Sequence, residues 1–119
     1  MGATVFVVED DAATRHMLGS VFTTTELKAV LLTSAEDALE RLRDEPPDVI
    51  LCDLNLPGMN GDAFIDAVKS SGLADTPMIL MSAYGEPKQH SADVFLGKPF
   101  DPFAVVDLVE EMSRRCSRS

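Results

Sequence analysis

The chain has 119 residues and a formal net charge of −10. A chain of this length usually forms one domain with a hydrophobic core of its own. The negative charge repels phosphate backbones and argues against direct binding of DNA or RNA. No apolar run reaches the roughly 20 residues that span a bilayer, and the first residues lack the pattern of a signal peptide. We therefore expect a cytoplasmic protein without membrane insertion.

Short apolar segments alternate with helical periodicity from the start of the chain. Thr4–Val8 predicts a strand because it is apolar and rich in β-branched residues. Helical spacing follows at Met17, Leu18, Val21 and Phe22. Leu27–Leu32 predicts a second strand, and Ser34 can cap the helix after it. Asp37 is favourable in the first turn of that helix.

The second half of the chain continues the alternation. Asp48–Asp53 predicts a third strand, followed by a Pro/Gly loop and a helix near Asp62–Ser70. Pro77–Met81 and Val94–Leu96 predict the fourth and fifth strands. Asp101-Pro102 supplies a cap and a first helical residue for the last helix. Strands that are apolar on both faces and alternate with helices are typical of a parallel sheet between helical layers.

Polar side chains stand where the predicted strands end. In chain order they are Glu9, Asp10, Asp11, Asp53, Ser82 and Lys98. Open α/β sheets bind ligands beyond the carboxyl ends of their strands. Two carboxylates about 4 Å apart repel by about 4 kcal/mol at an effective dielectric of about 20, and a divalent cation removes that penalty. Carboxylate and carbonyl ligands in an incomplete protein shell suit Mg²⁺.

A lysine and a hydroxyl opposite such an ion can hold a transferring phosphoryl group. Asp53 then becomes a candidate nucleophile that forms an acyl phosphate. Taken singly, these residues have ordinary explanations. Asp53 alone would be a turn residue, Glu9–Asp11 a helix cap and Lys98 a surface lysine. Their occurrence together, each at the end of a strand, favours the phosphoryl-transfer hypothesis.

Four segments resemble the receiver domain of two-component response regulators, of the single-domain chemotaxis-regulator type. They are VFVVEDDAATR, DVILCDLNLPGMNGD, MSAYG and DVFLGKPFDP. The resemblance covers essentially the whole chain. It implies a flavodoxin-like, doubly wound, five-stranded parallel sheet, and a single receiver domain over residues 1–119 with no output domain.

The resemblance also implies a metal site and a phosphorylation site. Glu9 and Asp10 match the acidic pair that holds Mg²⁺, and Asp53 matches the phosphoacceptor. Asn55 matches the position whose backbone carbonyl completes the metal shell. The implied donor is a phosphohistidine on a sensor histidine kinase or on a histidine phosphotransfer protein.

Three further positions match the switch of such domains. Ser82 matches the hydroxyl that follows the phosphoryl group, and Lys98 matches the lysine that contacts it. Phe95 falls at the aromatic switch position, and the Lys98-Pro99 bond is expected to be cis. The implied protein is a signalling phosphoacceptor rather than an enzyme with a separate substrate. It would signal through phosphorylation-dependent protein contacts or as a phosphorelay intermediate.

The chain departs from such domains between the fourth and fifth strands. Only 15 residues separate Ser82 from Lys98, and a helical crossover usually needs a dozen or more before the next strand. Gly85 and Pro87 interrupt helix within Ala83–Ala92. We therefore predict that the usual fourth helix is missing or reduced to about one turn; a short complete helix is the alternative. The bulky Tyr84, two residues after Ser82, prompts the hypothesis of slow phosphoryl loss.

Two other functions remain open from the sequence. A pseudo-receiver would keep the fold as a phosphorylation-independent interaction module, and the missing helix favours it mildly. The intact set of site residues argues against it. A phosphatase with an aspartyl-phosphate intermediate would typically carry a second acid two residues after the nucleophile, where this chain has Asn55.

Overall fold

A computed structural model describes residues 3–116 of the chain, with side chains through residue 114. The strands are β1 (Thr4–Val8), β2 (Lys28–Leu32), β3 (Val49–Asp53), β4 (Met78–Ser82) and β5 (Val94–Gly97). The helices are α1 (Ala12–Phe22), α2 (Ala35–Asp44), α3 (Gly61–Ser70) and α4 (Pro102–Cys116). Each element predicted from periodicity is present, with shifts confined to its ends. No helix in the described part of the chain is long and apolar enough to cross a membrane.

The five strands form one parallel sheet in the order β2-β1-β3-β4-β5. The strand order reverses next to β1, as in flavodoxin-like doubly wound sheets. The predicted fold class is therefore confirmed. The register aligns Val8 with Cys52 and Asp53 with Met81, so the carboxyl ends of the three central strands lie at one edge.

Strand residues alternate between two apolar layers, one on each face of the sheet. Phe6 and Val8 of β1 pack with α2 and α3, whereas Val5 and Val7 pack with α1 and α4. All four of these side chains are fully buried. Because both faces are covered, the central strands are continuously apolar and hold the residues at their ends rigidly.

The helices begin at side-chain caps. The Ser34 hydroxyl accepts from the Asp37 amide at 3.1 Å, and an Asp101 carboxylate oxygen accepts from the Phe103 amide at 3.0 Å, as predicted. Asn60 caps α3 through the Ala63 amide at 2.9 Å. Each such cap is worth about 1 kcal/mol. The Asn60 cap was not predicted, because it lies inside the Pro/Gly loop.

The connection between β4 and β5 contains no helix. Residues 83–93, the crossover segment, are bends and irregular chain. The prediction of a missing fourth helix is confirmed. As a result, β5 at the sheet edge packs against the α4 layer through Val94 and Leu96, while no helix of its own crossover covers the other face, where Phe95 reaches the edge of the α2–α3 layer.

Candidate functional site

Four predicted site residues meet at the carboxyl edge of the sheet. Glu9 follows β1, Asp53 ends β3, Ser82 ends β4 and Lys98 follows β5. The Lys98 ammonium lies 2.7 Å from Glu9 Oε1 and 3.2 Å from Asp53 Oδ2. Residues from three strands, separated by up to 89 positions in the sequence, thus form one charged cluster.

Burial sets the electrostatics of this cluster. Glu9 is fully buried and Asp53 is 5% exposed, whereas the Lys98 side chain is 19% exposed. Burial raises the pKa of Glu9, although its hydrogen bond to Lys98 opposes the shift. Burial alone would lower the pKa of Lys98, but the hydrogen bond to Glu9 and the charge of Asp53 outweigh it and raise the pKa. The lysine is therefore a firmly charged partner for two buried acids.

Three carboxylates are close enough to share one cation. Ligand oxygens of Glu9, Asp10 and Asp53 lie within 4.8 Å of one another. Oxygens around an octahedral Mg²⁺ lie about 3 to 4 Å apart, so small side-chain adjustments suffice. With Lys98, the three acids leave a formal charge of −2, which a divalent cation neutralises. The all-oxygen donor set fits Mg²⁺.

Asn55 and Ser82 lie beside the acids. The backbone amide of Asn55 donates to Asp53 Oδ1 at 3.2 Å, which places Asn55 next to the cluster. The Ser82 hydroxyl, fully buried, donates to Asn55 Oδ1 at 3.2 Å and accepts from the Tyr84 amide at 3.0 Å. Ser82 therefore links the site to the start of the crossover segment.

Tyr84 and Phe95 lie outside the charged cluster. Tyr84 is 85% exposed. Its ring lies in solvent rather than over Asp53, so the structure gives no support to the hypothesis that it shields an acyl phosphate. Phe95 lies on β5 and is partly buried against the α2–α3 layer. The Lys98-Pro99 bond is cis, as expected.

A close backbone approach fixes the chain after Asp53. The Leu54 amide donates to the Met81 carbonyl at 2.8 Å, and the Gly61 amide donates to the Leu54 carbonyl at 2.9 Å. A Cβ at Gly61 would lie 2.6 Å from the Asp53 carbonyl oxygen and 2.8 Å from the Leu54 Cα. Because backbone atoms cannot yield easily, glycine is required here.

Arg15 is a site residue that the sequence analysis missed. Its Nη1 donates to the backbone carbonyl of Glu9 at 2.9 Å and to that of Asp10 at 3.3 Å. It thereby braces the turn that carries both acids. One sequence signal was available, since a basic residue in the first turn of a helix opposes the helix dipole and calls for an explanation.

Comparison with known proteins agrees with this geometry. The sequence model of the response regulator receiver domain matches residues 5–110. The chain belongs to the response regulator receiver domain family of two-component systems. Members of this family are signalling phosphoacceptors that histidine kinases phosphorylate and that bind Mg²⁺ in an acidic pocket.

Individual relatives support the assignment. The chain is 32% identical to the phosphate regulon transcriptional regulatory protein PhoB of Escherichia coli, over 98% of this chain and 54% of that protein. It thus spans about half the length of that relative. A response regulator from Chloroflexus aurantiacus is 26% identical with a TM-score of 0.87, over 96% of this chain and 99% of its own. Chemotaxis response regulator CheY4 of Vibrio cholerae, 24% identical over 94% of this chain and 99% of its own, shares the fold at a TM-score of 0.85.

Proposed function

We propose that this protein accepts a phosphoryl group on Asp53 from a phosphohistidine, carried by a sensor histidine kinase or a histidine phosphotransfer protein. The observation that carries the proposal is the contact of Lys98 with both Glu9 and Asp53, at 2.7 and 3.2 Å, beside a third acid. An ordinary strand-end turn has no reason to bury two acids around one lysine. A shared cation and a phosphoryl group explain the arrangement.

The transfer is a displacement at phosphorus. A carboxylate oxygen of Asp53 forms the new P–O bond while the P–N bond of the donor breaks. The donor imidazole keeps the bonding electrons and takes up a proton from water. Bound Mg²⁺, held by Glu9, Asp10, Asp53 and the backbone carbonyl of Asn55, would offset negative charge on the phosphoryl oxygens.

The chain's own residues position and stabilise the transferred group. Lys98, 3.2 Å from Asp53 Oδ2, is placed to contact a phosphoryl oxygen. Ser82 is placed to donate to another after leaving Asn55 Oδ1. The modification adds about 1.5 to 2 negative charges, which gives Lys98 and Ser82 a stronger acceptor than they have at rest. Phe95 on β5 is the aromatic residue that we propose changes position after phosphorylation.

We further propose that residues 1–119 act as a single receiver domain, through protein contacts or as a relay intermediate. The net charge of −10 favours protein partners over nucleic acid. The phosphorylation-independent pseudo-receiver is the second candidate, and the oxygen-rich site with its buried acids argues against it. The absence of a helix in residues 83–93 is the observation that favours it.

The test is phosphorylation by a small donor. The chain is incubated with Mg²⁺ and acetyl phosphate, and its intact mass is measured. We expect a gain of one phosphoryl group that is lost in Asp53→Asn and without Mg²⁺. Asp75→Asn, a change at an exposed loop carboxylate, is the matched control and should keep the gain. A wild-type chain that gains no mass would favour the pseudo-receiver.

A further inference from the structure

The crossover segment is held by side chains, since it has no helical hydrogen bonds. At its carboxyl-terminal end, Lys69 Nζ donates to the Ser91 carbonyl at 2.8 Å, and the Ser91 hydroxyl donates to Asp66 Oδ1 at 3.3 Å. Asp93 accepts from the Met78 amide at 2.8 Å. This end is therefore anchored to α3 and to the start of β4.

The other end of the segment depends on Ser82. The Tyr84 amide donates to the Ser82 hydroxyl at 3.0 Å, and the Tyr84 side chain is 85% exposed. A side chain that is so exposed has little apolar packing to hold Tyr84 in position. A change in the position of Ser82 would therefore reach the segment directly through this one backbone hydrogen bond.

Between these ends, a histidine covers Phe95. His90 Nε2 lies 2.7 Å from Glu86 Oε2, and the His90 side chain is only 12% exposed. Its ring centroid lies 6.3 Å from that of Phe95 at a tilt of 40°, within the range of aromatic pairs. His90 Nδ1 is buried and has no hydrogen-bond partner among the described residues. The contact with Glu86 and the ring contact with Phe95 thus help to fix the position of this imidazole.

We propose that residues 83–93 form a conformational clasp in which Glu86 holds the His90 ring over Phe95 in place of the missing helix, and that phosphorylation of Asp53 opens it through Ser82. The second half of this inference rests on the proposed function. When Ser82 turns toward a phosphoryl oxygen, the Tyr84 amide loses its acceptor. Because Ser91 stays anchored to α3, the movement is confined to residues 84–90. His90 then leaves Phe95, whose ring is free to change position.

The resting clasp is tested by ¹⁹F NMR of the full chain labelled with fluorophenylalanine. The chain has six phenylalanines, and Phe95→Leu assigns the resonance of interest. His90→Ala should shift the Phe95 resonance and leave the other five in place. Glu86→Ala should shift it in the same direction. Because the Glu86 side chain is 56% exposed, Glu86→Ala should fold normally. It therefore still tests the clasp if His90→Ala does not fold.

His16→Ala is the matched control, since His16 is exposed on α1 far along the chain from the segment. It should leave the Phe95 resonance where it is. A Phe95 resonance that is unchanged in both His90→Ala and Glu86→Ala would overturn the clasp. So would a shift of equal size in His16→Ala, because the effect would then not be specific to this contact.

The opening step is tested on wild-type protein whose phosphoryl gain is measured by mass in the same sample. The Phe95 resonance should move toward its position in His90→Ala as the phosphoryl group is added. A full mass gain with an unmoved resonance would refute the opening step and leave the proposed function intact. No mass gain would refute the proposed function and the opening step together, while the resting variants still decide whether the clasp exists.

Discussion

The carboxyl edge of the sheet and the crossover segment lie next to each other but are stabilised in different ways. At the edge, buried strands deliver Glu9 and Asp53 to one lysine. In the segment, no backbone ladder exists, and a few side chains hold an irregular chain. The edge can keep its geometry although the helix normally found beside it is missing. The geometry of this charged cluster therefore depends on the strand ends and not on a helix in the crossover.

The largest expected effect on the free energy of unfolding comes from replacing one glycine with alanine, and the same replacement can be made in each of the two regions. Gly61→Ala should lower the free energy of unfolding by about 3 kcal/mol, because the new Cβ would press on the backbone of Asp53 and Leu54. Gly85→Ala in the segment has open space around it and meets only the strain of a φ of +98°. It should lower the free energy of unfolding by about 1 kcal/mol. Urea denaturation measures the free energy of unfolding of both variants. Equal losses of stability would contradict the proposed difference between the sheet edge and the crossover segment.

The next effect concerns the lysine. Lys98→Ala leaves Glu9 and Asp53 buried without a cationic partner, and should lower the free energy of unfolding by about 2 kcal/mol in metal-free buffer. This is below the 3 to 5 kcal/mol of a fully buried pair, because the Lys98 side chain is 19% exposed. Mg²⁺ should restore part of the loss.

Lys88→Ala is the matched control, because Lys88 is exposed in the crossover segment. It should change the unfolding free energy by less than about 0.5 kcal/mol. If Lys98→Ala proved as stable as Lys88→Ala without metal, the charged cluster would not be the constraint described here.

A smaller effect is expected at low pH. Hydrogen bonds from Thr14 lower the pKa of Asp11. A lowered carboxyl pKa contributes stability above the unfolded value of about 3.9, and that stability is lost as the pH falls through the folded value. Thr14→Val should therefore reduce the stability slightly at pH 7, and the reduction should become smaller as the pH is lowered below about 3.9. Thr24→Val, which removes a hydroxyl bonded to a carbonyl, should show no such pH dependence in urea melts.

The smallest effect is expected at Tyr84. Because its ring lies in solvent, Tyr84→Ala should leave the rate of phosphoryl loss from Asp53 unchanged within error, followed by mass after removal of acetyl phosphate. Faster loss in this variant would show that the ring moves over the site after phosphorylation, and would revive the shielding hypothesis.

Most of the fold can be predicted from the sequence because short local patterns of residues identify the strands and the helix starts. Apolar runs place β1 and β3, and polar caps such as Ser34 and Asp101 place the helix starts. The missing helix follows from a count of residues. Arg15 and His90 escaped the sequence analysis, because their roles arise from contacts that only the folded chain creates. No periodicity or spacing encodes a side chain that folds back on a turn or covers a ring.

The most direct test of the account is a calorimetric titration of Mg²⁺ into wild-type chain, Asp10→Asn and Asp11→Asn. Asp10 belongs to the proposed cation site, whereas the carboxylate of its neighbour Asp11 accepts from Thr14 at the start of α1. We expect one saturable Mg²⁺ site, with an affinity at least about tenfold weaker in Asp10→Asn and nearly unchanged in Asp11→Asn. Equal affinities in all three proteins would contradict this expectation.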